Sequence, residues 1–213
     1  MIKLGYFGHE RCDIMYYLLR GAQLLNKKIL VLDNSISGDF FRSLSNEEDV
    51  DENAMITLMR NYHITSKDLS ETDFDVFIYY GGLAKDYKPD YKFDKLFVVP
   101  TQSSVVIADT KAAISGILKE NVVFIYDDVT KQKITFDVLK MEFGFENYEF
   151  NSDEELEIAL DETRIFKYET LSHVGEVALK GNSKEFSNII FNMIIKIFAV
   201  QAKDQIKLLK KRL

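Results

Sequence analysis

The residues of this chain best suited to chemistry lie in one short stretch, Gly8-His9-Glu10-Arg11-Cys12-Asp13, with Asp33 further along. A glycine and a cation in a tight turn can hold an anion. The cation supplies charge, and glycine lets backbone N–H groups turn inward. A thiol at the start of a helix beside Arg11 can be drawn toward its thiolate and serve as a nucleophile or redox group. Glu10 and Asp13 oppose that field, and Cys12 is the single cysteine, so no resolving partner is present. A carboxylate such as Asp33 can position a water. The same loop reads equally well as a plain strand-to-helix connection that binds nothing.

The flanking elements must place these groups. Ile2 to Phe7 is a short apolar run ending at Gly8, too short for a helix and rich in strand formers. Asp13 can cap a helix whose apolar side is Ile14, Leu18, Ala22 and Leu25. Asn26-Lys27-Lys28 closes that helix with cations where its dipole favours them. Ile29 to Leu32 is a second apolar run, and Asp33 ends it. Near-continuous apolar strands separated by a helix indicate a parallel sheet buried on both faces. Ligands of such sheets bind beyond the carboxyl ends of the strands, which groups Gly8 to Asp13 with Asp33.

This order of elements resembles the opening of the ParA/MinD family of P-loop ATPases, which includes the TadZ/CpaE-type pilus localisation proteins. Members open with a strand, a KGGxGKT loop, a helix and a strand ending in aspartate. Aligned back from Asp33, the family loop falls on Tyr6-Phe7-Gly8-His9-Glu10-Arg11-Cys12. Gly8 matches a loop glycine, Arg11 the phosphate-binding lysine and Cys12 the magnesium-holding threonine, while Tyr6 replaces the signature lysine. The departures have physical weight. Most of the glycines that let N–H groups face phosphate are gone. Glu10 brings negative charge, Arg11 is a planar fork rather than a point charge, and a thiol is a soft ligand for a hard cation.

The resemblance continues along the chain. Ser35 to Asp51 reads as a lid or surface loop, and Glu52 to Tyr62 as a short helix with Met55, Leu58 and Met59 on one side. Phe74 to Tyr80 is a strand that the family ends in a magnesium-ordering aspartate; Tyr80 stands there instead. Asp94 to Pro100 is a strand resembling D-x-v-i-v-v-x-P, followed by a helix capped by Ser103-Ser104 that runs to about Lys119. Asn121 to Tyr126 is the next strand, and Asp127-Asp128 reads as a solvated turn rather than a metal site. A helix spans Thr135 to Phe143 and stops at Gly144. Tyr148 to Phe150 reads as a short strand. Asn151 to Glu155 reads as a helix start, in a segment resembling P-x-D-x-x-v-x-x-A through Leu156 and Ala159. Ile165 to Tyr168 and a loop lead to a long final helix from about Ser183. Its end, 203–213, is a basic amphipathic extension with Lys207, Lys210, Lys211 and Arg212 on it.

Composition sets bounds. The chain has 213 residues, 46% hydrophobic and 29% charged, which suits one α/β domain over 1–213 with a full core. That domain is expected as a mostly parallel sheet with helices on both faces. A net charge of -7 argues against broad nucleic-acid binding. One cysteine, no signal sequence and no membrane-length apolar run fit a cytoplasmic protein.

The resemblance and its departures imply a non-hydrolysing pseudo-ATPase. Such a protein would be a localisation or assembly scaffold that needs no cofactor and works through dimerisation and a protein partner. The family dimerises on its nucleotide face, and MinD-type proteins hold membranes through a C-terminal amphipathic helix. The alternative is a divergent switch for partition, cell-pole or pilus placement. It would bind ATP with magnesium, using Arg11 on phosphate and Asp33 to position water. A third reading is a thiol enzyme using Cys12. His9, His63 and His173 lack metal-like spacing.

Overall fold

The computed structural model of the protein describes residues 1–45, 56–85, 89–117, 120–130, 134–151, 154–174 and 178–213. The chain runs β1 (Ile2–Gly8), α1 (Asp13–Leu24), β2 (Ile29–Asp33), α2 (Asp39–Ser45), β3 (Ile56–Arg60), α3 (Ser66–Ser70), β4 (Val76–Gly82) and β5 (Lys95–Val99). It continues with α4 (Ser104–Ala113), β6 (Val122–Val129), α5 (Phe136–Phe143), β7 (Glu155–Ala159), α6 (Glu162–Val174), α7 (Lys184–Ile197) and α8 (Lys203–Arg212). One seven-stranded sheet results, in the order β3-β2-β4-β1-β5-β6-β7. Every pairing in it is parallel. The α/β class with helices on both faces is therefore the observed architecture.

Strand alternation sorts the core into two layers. Leu4, Tyr6, Val31, Ile78, Tyr80, Phe97 and Ile125 face α1, α2, α6, α7 and α8. Phe7, Leu32, Phe77, Tyr79, Val98 and Phe124 face α3, α4 and α5. β1 is central, paired to β4 on one side and β5 on the other. The chain builds outward from β1 through β2 and β3, returns in β4, and crosses to β5. The crevice at the carboxyl ends of β1, β4 and β5 is thus the topological switch point, where ligands of open α/β sheets bind.

Several local expectations are corrected. Instead of a helix over 52–62, β3 pairs along β2 from Ile29↔Ile56 to Asp33↔Arg60; residues 52–55 lie outside the described ones. The β2 edge offers Ile56 and Thr57 a full ladder, which outweighs a weak helical spacing. The helix start at Asn151 is likewise replaced by β7, with 152 and 153 outside the described residues. Its alternation, buried Ile158 between exposed Glu157 and Ala159, is the strand period. Tyr148 to Phe150 is not a strand. Its two rings meet tilted, with centroids 4.5 Å apart, and Tyr148 Oη accepts a hydrogen bond from Val122 N at 3.1 Å. Where a loop was expected after Tyr168, α6 continues to Val174.

The final helix is two helices. α7 stops at Ile197, and Ala199 turns the chain at φ 49. The turn folds α8 back, so that Leu209 is fully buried against the α1 and α7 layer. The segment 203–213 is therefore a separate docked helix rather than an extension.

Candidate functional site

β1 delivers the loop. Gly8 has φ +127, and a Cβ there would lie 2.2 Å from the Val99 carbonyl oxygen. That carbonyl accepts from His9 N at 2.8 Å. Only glycine lets β1 turn this closely over β5. Tyr6 closes the loop from beneath: its hydroxyl donates to His9 O at 2.7 Å, and its ring stacks on Tyr80 at 4.8 Å. Tyr6 and Tyr80 thus fill the core beneath the loop. The Tyr80 hydroxyl is buried with no hydrogen-bond partner among the described residues.

Asp13 is the first residue of α1 rather than its cap; Cys12 holds the cap position and makes no side-chain capping bond. The Asp13 carboxylate is buried and receives a fork from Arg164 in α6, Nε to Oδ2 at 2.6 Å and Nη2 to Oδ1 at 3.1 Å. Arg164 forks equally onto Asp127 at the end of β6, with Nη2 to Oδ2 at 3.2 Å and Nη1 onto Oδ1. Its guanidinium lies over the Phe186 ring, 4.4 Å from the centroid. Arg11 adds a second cation, Nη2 to Asp128 Oδ1 at 2.7 Å and to Asp127 Oδ2 at 3.6 Å. Its Nε is buried with no hydrogen-bond partner among the described residues, 3.8 Å from Asp13 Oδ2.

These acids and guanidinia form one interior network in which Asp127 is fully buried, not a solvated turn. Burial works against the Asp127 charge. The Arg164 charge, the His9 contact and Arg11 outweigh it and hold this carboxyl well below the usual carboxylate range. Asp128 goes the other way, raised by burial and by the neighbouring Asp127. Burial alone would lower Arg164, but Asp13 and Asp127 keep it firmly ionised.

Cys12 is buried at 0% exposure, 3.8 Å from Ser43 Oγ. Burial, then the Asp13 charge, pushes its thiol well up, so the activated-thiol reading is corrected. The Asp33 carboxylate is also fully buried. It accepts from Ser35 N at 2.9 Å, Ser35 Oγ at 2.6 Å and Phe41 N at 2.8 Å. Burial raises its pKa against those three bonds. Asp33 shapes the turn after β2 through these bonds. Glu10, between Gly8 and Arg11, accepts backbone N–H groups from the loops after β2 and β4, and Tyr168 Oη bridges Asp39 at 2.9 Å.

Among the described residues, one set of metal-capable donors does assemble. His9, Asp127 and Asp128 each bring a ligand atom within 4.8 Å of the others. A cation there would compete with Arg11 and Arg164 for the same carboxylates.

The structure therefore gathers Gly8, Arg11, Cys12, Asp13 and Asp33 at one end of the sheet, as sequence position implies, and ties each into the interior. Asp127 and Arg164 escape sequence reasoning. Asp127 ends a strand on the ligand side, which the topological rule flags. Arg164 carries no local signal. Lys207, Lys210, Lys211 and Arg212 lie elsewhere, exposed on α8.

No protein-family model matches the chain, and no curated protein does. Solved structures do. The fold is that of the ParA/MinD-like P-loop ATPases. The MinD cell division protein of Aquifex aeolicus superposes at TM-score 0.60 with 11% identity, over 95% of this chain and 99% of that one. The MinD of the Aquifex aeolicus MinC:MinD complex gives 0.57 with 12% identity, over 95% and 98%. A putative plasmid partition protein of Borrelia burgdorferi B31, bound to AMPPNP, gives 0.52 with 11% identity, over 93% and 99%.

Proposed function

We propose that this protein is a ParA/MinD-like positioning scaffold that neither needs nor hydrolyses nucleotide, and that acts through a protein partner and a homodimer. The observation that carries the reading is the internal engagement of the loop. Arg11, aligned with the phosphate-binding lysine, pairs with Asp128; Cys12, aligned with the magnesium ligand, is buried with a raised pKa; Asp13 pairs with Arg164. ATP with magnesium does not suit this set. A nucleotide would meet the Glu10 carboxylate and a cation already neutralised. Similarity to MinD, one example of which is seen with MinC, supports a positioning role and partner binding. Among the described residues no helix is long and apolar enough to cross a membrane. The exposed basic side of α8, Lys207, Lys210, Lys211 and Arg212, is the proposed second contact, with a protein partner or an anionic membrane surface. Because Leu209 faces inward, that contact would be electrostatic and salt-sensitive.

Calorimetry with ATP and GTP, with and without magnesium, tests the reading. The expected result is no binding to a folded protein. Magnesium-dependent micromolar binding that Arg11→Ala abolishes would overturn it in favour of the divergent switch.

A further inference from the structure

The Glu10 carboxylate is held by backbone donors from two separate loops. Its Oε1 accepts from Ile36 N at 3.0 Å and Leu83 N at 2.9 Å, and its Oε2 from Ser37 N at 2.8 Å. Ile36 and Ser37 follow β2, and Leu83 follows β4. Converging main-chain N–H groups form an anion seat. The seat is shaped for its occupant: Gly82 sits at φ +54, and a Cβ there would come within 2.5 Å of Glu10 Oε1. Ser35 Oγ, donating to Asp33 and accepting from Gly38 N at 3.0 Å, holds the β2 side of the seat independently of Glu10.

We propose that Glu10 is an internal anion that clamps the loop after β2 to the loop after β4, in a seat that a small oxyanion takes when Glu10 is absent. The clamp gives both loops one arrangement without an external ligand, so a partner reading that surface meets a permanent conformation. The inference stands apart from the scaffold reading, since nucleotide binding by the native protein would overturn that reading alone.

Amide hydrogen exchange followed by NMR tests it in the native protein, Glu10→Ala and Glu10→Gln, with Leu4 and Val31 as core references. In Glu10→Ala, exchange at Ile36, Ser37 and Leu83 is expected to rise about tenfold or more while the references hold. Acetate or inorganic phosphate at tens of millimolar, roughly the range for a weak anion site, is expected to restore protection. Restoration by acetate marks a carboxylate-shaped seat, and by phosphate alone a tetrahedral one; both support the proposal. Unchanged exchange in Glu10→Ala, or no restoration by either anion, overturns it. Should Glu10→Ala not fold, Glu10→Gln keeps the shape but loses one acceptor oxygen. Unchanged exchange at all three amides in that variant overturns the proposal equally.

Discussion

Replacing Arg164 by methionine removes the cation at the centre of the interior network. The guanidinium is 1% exposed and forks onto two carboxylates that are themselves 4% and 0% exposed. Methionine keeps much of the volume over Phe186 but leaves Asp13 and Asp127 facing each other's charge. Stripping one partner from a buried pair costs roughly 3–5 kcal/mol. Arg11 remains within 3.8 Å of Asp13 and 3.6 Å of Asp127, which places the loss near the lower end. For a chain of this size each kcal/mol moves Tm by about 2–4 °C, so a fall of about 6–12 °C is expected. Urea unfolding followed by circular dichroism measures the free energy. Adding Asp127→Asn removes the stranded charge, so the double variant should be less destabilised than the sum of the singles, by about 0.5–3 kcal/mol. The pH dependence has a definite sign. The Asp127 carboxyl is depressed in the folded state, so its contribution is present above the unfolded value of about 3.9 and fades as pH falls through that value toward the depressed one. Asp128, raised when folded, contributes oppositely and loses its part as pH rises through its raised value. The gap between the native protein and Arg164→Met should therefore narrow below about pH 4. A loss under about 1 kcal/mol, or strictly additive singles, would refute the network.

Three other outcomes are expected. Gly8→Ala forces a Cβ onto the Val99 carbonyl at a positive φ and should cost about 1–3 kcal/mol; an unchanged Tm in thermal unfolding would contradict that close approach. Cys12 should react with a maleimide far more slowly in the native protein than in urea, because burial excludes the reagent and disfavours the thiolate; equal rates would show an open loop. Leu209→Ala should destabilise by roughly 2–5 kcal/mol, while Lys211→Glu on the outer side of α8 stays within about 0.5 kcal/mol; a neutral Leu209→Ala would mean that α8 is not docked.

How much of this was legible in the sequence depended on how far apart the interacting groups lie. Local periodicity and turn chemistry suffice for β1, α1, β2, β4, β5, α4, β6 and α5, because apolar spacing and caps such as Ser103 and Thr135 act within a few residues. The same signals place Gly8, Arg11 and Asp33 at the carboxyl ends of the strands. Edge strands are harder, because their stability comes from a neighbour's backbone. β3 takes its ladder from β2, and β7 takes its own from β6.

The chemistry of the site was decided by tertiary structure alone. Residue types at the loop show which charges are available but not which are neutralised. Arg164 lies 151 positions from Asp13, and Arg11 lies 117 from Asp128. Only folding brings them within hydrogen-bond distance, and only burial turns that proximity into shifted ionisation. Cys12 follows the same logic: one thiol beside an arginine reads as reactive, yet the packed core buries it and holds its pKa up. The sequence by itself determined a parallel α/β sheet with a glycine turn at the carboxyl end of β1, because those features rest on spacing along the chain. Which groups stay free at that edge follows from long-range pairing in a low-dielectric interior, and such pairing leaves no local mark.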